Sequence, residues 1–528
     1  MVAAQSFSRA DSLRGALRPE RAAFDVVHYA LDVELEPATR SVRGEVAIAY
    51  RGVFASDTVQ LDLAPQLRIT TVRQAGRELA YRREAGAVFV GLARATAHGR
   101  LDTVTVGYAG QPAAATNPPW DGGLTWAADS LGRAWIGVSC EGIGASQWWP
   151  TKDHLGDEPD SASVAVTVPD PLRVVANGRY VGARPAGGDK TRYAYAVASP
   201  INNYNLTFYA GHYVTFADTL RSPDRATPLR LRYSVLDYNL ARARRHFRQV
   251  KPMLRCFEHY LGPYPFWTDG YRLVEAPYLG MEHQSAIAYG NGYVRGYRGG
   301  LIPPDMDWDY LIVHESGHEY FGNAVSVTDH AEMWLHESFT TYLEALYVEC
   351  RYGHADYLRY LAGQRGLIAN AQPIVGAPHV NFEDFASSDH YFKGSWVLHA
   401  FRGQVGDAAF LSWLRDFYDA HAVGPVTTSD FMRSVVTAFG PDVEPFWRHY
   451  LYQAALPRLV VRPAGTRGSV AYFEDAVPGF RLRMDVGGET VTVADQPRTF
   501  AHPPEAWQQT LASGRYLLEA ELPGLAGE

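Results

Sequence analysis

Apolar and polar residues alternate with period two over much of the first 215 positions. "LDVEL" (31–35), "EVAIAY" (45–50), "VQLDL" (59–63), "TVTVGY" (103–108) and "SVAVTVP" (163–169) each place apolar side chains on one face. That is the pattern of a half-buried strand. Turn residues separate the segments, including Asn177-Gly178 after "LRVVA". The pattern predicts a large antiparallel β domain over 24–215, preceded by an N-terminal tail at 1–23. From about residue 239 the period lengthens. "NLARARRHFRQVKPMLRCFEHYLG" has helical spacing and stops at Gly262, before Pro263. "MWLHESFTTYLEALYVECRYG", "KGSWVLHAFRGQVG" and "TTSDFMRSVVTAFG" each close on glycine. A mostly helical domain is expected over 216–456. After Pro457 the alternation returns in "PRLVVRP" and "GFRLRMDVGGETVTVAD". It predicts a small C-terminal β domain over 457–528. The expected fold class is α+β and multidomain.

Composition changes this picture little. A chain of 528 residues, 47% hydrophobic and 20% charged, matches a soluble globular protein of several domains. Its net charge of −8 is spread along the chain, which argues against a nucleic-acid partner. No run of eighteen apolar residues exists, so no transmembrane segment is expected. "MVAAQSFSRADSLRG" lacks a basic stretch followed by an apolar one. The localisation expected is cytoplasmic, or exported with the signal peptide absent from this sequence. Cys140, Cys256 and Cys350 are far apart and suggest neither a disulfide framework nor a CxxC metal site. The oligomeric state is not legible.

The chemistry concentrates in "HESGHEYFGN", residues 314–323, which follows the apolar Leu311-Ile312-Val313. On a helix, positions i and i+4 share a face. His314 and His318 therefore present two imidazoles side by side, with Glu315 one step round. Two imidazoles and a neighbouring carboxylate are the zinc-metalloprotease arrangement, with the glutamate as general base. Catalytic zinc takes a third protein ligand and keeps one position open. A His-x-x-Gly-x-x-His continuation is excluded, because Phe321 and Ala324 hold those positions. Glu337, nineteen positions after His318, lies in a helical pattern and is a candidate third ligand, with Glu332 and Glu344 as rivals.

"HESGHEYFGNAVSVTDHAEMWLHESFTTYLE" resembles the zinc signature of the gluzincin aminopeptidases, the family of aminopeptidase N and the leukotriene-hydrolase enzymes. HExxH, FGN and a glutamate after eighteen intervening residues are all present, although His336-Glu337-Ser338 replaces the usual Asn-Glu-Gly. The resemblance implies a thermolysin-like catalytic domain that binds one zinc through His314, His318 and Glu337. "YLGMEHQSA" is similar to the family's Gly-x-Met-Glu-Asn exopeptidase motif, with His283 at the asparagine position. It implies substrate binding by Gly280, Met281 and Glu282, with Glu282 on the free α-amino group. "CEGIGASQWWPTKDHLGDEPDSA" resembles the family stretch that ends in Asp-Glu-Pro, and it implies that Glu141 joins Glu282 around the amine. "HYFKGSWVLH" matches Tyr-x-Lys-Gly and implies that Tyr391 donates to the oxyanion. The expected activity is zinc-dependent removal of the N-terminal residue from peptides with a free N-terminus. The alternatives are a leukotriene-hydrolase-like enzyme that also opens an epoxide, and a non-catalytic peptide-binding protein on the same fold. A thermolysin-type endopeptidase shares the zinc logic but needs no ammonium clamp, so "GMEHQ" tells against it.

Overall fold

A computed structural model describes residues 7–380, 387–465 and 467–522. The chain forms two compact units. The first comprises Met1–Ala331, Ala377–Glu383 and Ala422–Pro425; the second comprises Glu332–Gly376, Asp384–His421 and Val426–Glu528.

The first unit begins with an eight-stranded sheet. Its central strand, Phe24–Glu36, pairs antiparallel with Ser41–Gly52, Leu31 lying opposite Val46. Along Phe24–Glu36 buried positions largely alternate with more exposed ones, as the period-two pattern predicts. The described pairings in this sheet are antiparallel except one: Phe24–Glu36 runs parallel to Ser161–Pro169. A parallel neighbour needs a long connection, and here that connection carries a whole three-stranded sheet and two strands of a four-stranded one. The expected strands at 31–35, 45–50, 59–63, 103–108 and 163–169 all lie within or along observed strands. The turn at Asn177-Gly178 joins strands of different sheets rather than closing a hairpin. Residues in the expected N-terminal tail are folded. Helices Arg9–Gly15 and Pro19–Ala22 form there, and fully buried Arg21 pairs with Asp62 at 2.6 Å.

The site rests on a five-stranded sheet later in this unit. Its order is Tyr213–Leu220, Leu229–Leu236, Tyr271–Glu275, Ile287–Tyr289 and Gly280–Met281, so the last strand forms an edge. The helical stretch expected from about 239 to 262 divides into Leu240–His246, a 3-10 turn at Phe247–Gln249, and Val250–Leu261. Pro252 near the start of the last piece has no N–H for a regular helical bond. Helix Tyr310–Gly317 follows, capped by Asp309, whose carboxylate accepts from the Leu311 and Ile312 amides.

The second unit contains helices Trp334–Tyr352, His354–Arg365, Phe392–Val405, Asp407–His421, Thr428–Phe439 and Glu444–Tyr452. Gly353, Gly406 and Gly440 end three of these, as expected. Beyond them Arg458–Ala464 and Gly468–Glu474 pair antiparallel, as do Arg481–Val486 and Glu489–Ala494. This C-terminal β region also holds helix Pro504–Ala512. Among the described residues, no helix is long and apolar enough to cross a membrane.

Candidate active site

His314 lies inside helix Tyr310–Gly317 and His318 caps its end. Both are buried, and their Nε2 atoms are 3.2 Å apart. The rings stand nearly perpendicular, at 86°. The Nδ1 of His318 is 3.0 Å from the Phe321 carbonyl. A carbonyl only accepts, so Nδ1 carries the proton and the Nε2 of a neutral ring keeps its lone pair. Tyr310 stacks on the His314 ring at 5.4 Å and holds its plane.

This spacing fits zinc. Two nitrogens bound to one tetrahedral zinc at about 2.0–2.1 Å lie roughly 3.3–3.4 Å apart.

Glu315 is buried beside this pair. Carboxylate oxygens of Glu282 and Glu315 and a nitrogen of His318 lie within 4.8 Å of one another. Gly280 explains how the edge strand approaches so closely. A Cβ there would sit 2.4 Å from Glu315 Oε1 and 2.6 Å from Leu311 Cδ1. Met281 is buried next to it and pairs with Ala288 in the sheet.

Glu282 is held from several sides. One carboxylate oxygen accepts from the Tyr204 hydroxyl at 2.8 Å. Its backbone carbonyl accepts from the Asn323 amide at 2.7 Å, and the Asn323 side-chain oxygen accepts from Asn205. Asn205 also accepts from the Gln284 N–H, while Asn177 donates to the Gln284 carbonyl. The Ser285 N–H donates to Glu319 at 2.8 Å. Burial pushes the Glu319 carboxyl up to about 8. His283, in the motif's asparagine position, is 2.7 Å through Nδ1 from the Tyr209 hydroxyl, which donates to the Ala286 carbonyl. Burial lowers His283 to about 3, so its ring is neutral and braces this turn.

Glu141 is half-buried, and a carboxylate oxygen of it lies within 4.8 Å of one of Glu282. Of the nearby Asp-Glu-Pro, Asp157 pairs with buried Lys152 and accepts from the Val26 amide. Asp157 thereby anchors the strand Phe24–Glu36. The first unit thus brings together His314, Glu315, His318, Gly280, Met281, Glu282 and Glu141.

Glu337 and Tyr391 belong to the second unit. Glu337 is buried in the first turn of helix Trp334–Tyr352. Its rivals have other partners: Glu332 accepts from the Thr428 amide at 2.7 Å, and Glu344 from the Tyr360 hydroxyl at 2.5 Å. Tyr391 is half-buried at the N-cap of helix Phe392–Val405. Its two motif neighbours have structural tasks. Lys393 donates to the Gln453 and Ala454 carbonyls at 3.1 and 2.6 Å, beyond the end of helix Glu444–Tyr452. Burial lowers its pKa to about 8. At Gly394 a Cβ would lie 1.7 Å from Ser338 Oγ, so glycine lets two helices touch.

Sequence reasoning missed Tyr204, Asn205 and Asn177, which carry the Glu282 segment. Asn323 had a signal, because it closes the quoted "FGN". Tyr204, in "NNYN", has none.

Residues 247–450 match the domain described as Peptidase family M1 domain. Among curated relatives, the chain is 22% identical over 337 residues to "Probable aminopeptidase 1" of Sulfurisphaera tokodaii, covering 60% of this chain and 41% of that one. It is 21% identical over 383 residues to "Leucyl aminopeptidase" of Saccharolobus solfataricus, covering 68% and 47%. The chain spans less than half the length of these two relatives. Among solved structures, it resembles an M1 zinc metallopeptidase variant from Deinococcus radiodurans bound to a Tyr-Ser-Ala substrate. There the TM-score is 0.68 at 23% identity, over 83% of this chain and 96% of that one. Leukotriene A4 hydrolase from Saccharomyces cerevisiae matches with a TM-score of 0.67 at 18% identity, over 84% and 69%. The chain and these solved structures share the fold.

Proposed function

We propose that this protein is a zinc-dependent aminopeptidase that removes the N-terminal residue from peptides. The observation that carries the reading is the pair Glu141 and Glu282, whose carboxylates approach within 4.8 Å next to His318 and Glu315. Two carboxylates so close repel unless a cation lies between them. A peptide's α-ammonium is such a cation and donates three charge-assisted hydrogen bonds. The named aminopeptidase relatives support the same class.

In this reading one zinc is held by His314, His318 and Glu337, and when bound it supplies Lewis acidity at the centre. Glu141 and Glu282 fix the substrate amine, which sets the register at one residue per cycle. Tyr204 orients Glu282 through its 2.8 Å hydrogen bond. Edge strand Gly280–Met281 offers backbone groups to the substrate chain. Glu315 takes a proton from the attacking water on a carboxylate oxygen and delivers it to the leaving amine. The Tyr391 phenol donates to the oxyanion, a contribution of about 3 kcal/mol for a well-placed donor.

A panel of aminoacyl chromogenic substrates, free and N-acetylated, tests this reading. Free-amine substrates should turn over, and a chelator should stop them. Acetylated ones should not react. Glu282→Ala should lower kcat/KM by one to two decades, the worth of a charge-assisted hydrogen bond at about 1.5–3 kcal/mol. Equal cleavage of acetylated and free substrates would remove the ammonium clamp and the aminopeptidase assignment with it.

A further inference from the structure

Away from these residues, the five-stranded sheet gathers arginines. In strand Leu229–Leu236, Arg230 and Arg232 are exposed while Leu229 and Leu231 are buried. The neighbouring strand Tyr271–Glu275 runs parallel and sets Arg272 opposite Arg232. On the other side, Thr219 faces Arg230 and Ala217 faces Arg232, so that strand brings no carboxylate to this face. Asp218, between them in sequence, is paired with Lys251 at 2.6 Å. Arg179 and Tyr180, from an edge strand of the eight-stranded sheet, complete one concavity with Asp269.

The balance of charge here is unusual. Arg272 is 5% exposed, donates to the Ala176 carbonyl and lies over the Tyr195 ring at 5.4 Å. Among the described residues, none of the four arginines has an ion pair within 4.0 Å. The one acid lining the concavity, Asp269, accepts from the Ala198 and Ser199 amides at 2.8 and 3.1 Å. Buried charges in proteins are normally paired, and like charges directly opposite in a sheet repel. Burial and the neighbouring guanidiniums of Arg232 and Arg230 push Arg272 below its ordinary value. A bound anion would relieve all of these costs.

We infer that Arg179, Arg230, Arg232 and Arg272 form a binding site for a phosphoryl-type oxyanion, one that the peptidase machinery does not use. A phosphoryl group carries up to two negative charges and several oxygens, and the guanidiniums have donors for them besides the one Arg230 gives the Thr268 carbonyl at 2.6 Å and the one Arg272 gives the Ala176 carbonyl. A carboxylate has only two oxygens for four guanidiniums. The group could arrive as free phosphate or on a small organic molecule, whose body would lie along exposed Tyr180. That ring packs edge-on against Tyr195 at 5.4 Å.

The test is titration of the full-length, zinc-loaded protein with inorganic phosphate, followed by calorimetry at ionic strength held constant with chloride. Saturable binding is expected, weakened at least tenfold in Arg230→Ala/Arg232→Ala, while that variant keeps wild-type turnover of a chromogenic substrate. Both residues are exposed, so the variant should fold. His318→Ala should retain the phosphate site, which separates it from any phosphate bound at the metal centre. A parallel titration with adenosine monophosphate distinguishes the sources. Tighter binding than phosphate, lost in Tyr180→Ala, means a carried phosphoryl group; equal binding means the free ion. Absence of saturable binding, binding that survives the double substitution, or binding abolished by His318→Ala overturns the inference.

Discussion

Glu315 and Glu282 lie within 4.8 Å of each other, yet the proposed mechanism gives them different tasks. Glu282 is committed on one oxygen to the Tyr204 hydroxyl and serves as an anchor. Glu315 is assigned proton transfer, not metal binding. Glu315→Gln should therefore keep zinc by elemental analysis while losing a factor of about a hundred or more in kcat. Loss of metal would instead make Glu315 a ligand. Gly280 gives a second expectation. An added methyl would meet Glu315 Oε1 at 2.4 Å and Leu311 Cδ1 at 2.6 Å. Gly280→Ala should push the base out of place, lowering kcat roughly tenfold or more, and the overpacking against Leu311 should also lower the unfolding midpoint. Much of this was legible at the level of residue type, because HExxH fixes two imidazoles on one helical face whatever surrounds them. The role of Tyr204 was not. One tyrosine among 32 carries no local mark, and only its position across the sheet makes it a partner of Glu282.

At the scale of elements, the Tyr-x-Lys-Gly motif is as much a packing device as a chemical one. Lys393 holds the chain beyond helix Glu444–Tyr452, and Gly394 lets helix Phe392–Val405 press against helix Trp334–Tyr352. Ser338, the contact at Gly394, donates to the His390 carbonyl at 2.6 Å and so ties the two elements together. Gly394→Ala should destabilise by about 1–3 kcal/mol, the usual cost of overpacking, read as a lower denaturant midpoint. Ser338→Gly in the same chain should restore part of that loss. The helices themselves were legible from apolar spacing and from the glycines at 353, 406 and 440. The break at Phe247–Gln249 was not marked as an end, although Pro252 is visible in the sequence. A proline near a helix start is tolerated, so its presence alone does not say whether the preceding turns continue in register.

For the molecule as a whole, buried carboxyls tie stability to pH. Burial raises Glu158 from its ordinary 4.5 to about 7. The folded state thus holds a proton that the unfolded chain releases between those values, and this carboxyl's contribution to stability falls as pH rises from about 4.5 to 7. Each unit of separation corresponds to about 1.4 kcal/mol. Glu158→Gln keeps the neutral form at every pH. Its stability relative to wild type should rise across that window, as measured by denaturant unfolding at pH 5 and pH 7.5; a constant difference would refute the assignment. By itself the sequence determined the alternating strands quoted from its two β regions, the helices that close on Gly353, Gly406 and Gly440, the imidazole pair and Glu315. These follow from side-chain periodicity and from contacts within one helical turn, which are local. The approach of Glu141 to Glu282 was expected only through the family resemblance, and tertiary structure alone decided that Arg232 faces Arg272 from the next strand. Those juxtapositions depend on which strands pair and in what register. Pairing is set by burial summed over a whole sheet, and no short stretch of residues encodes it.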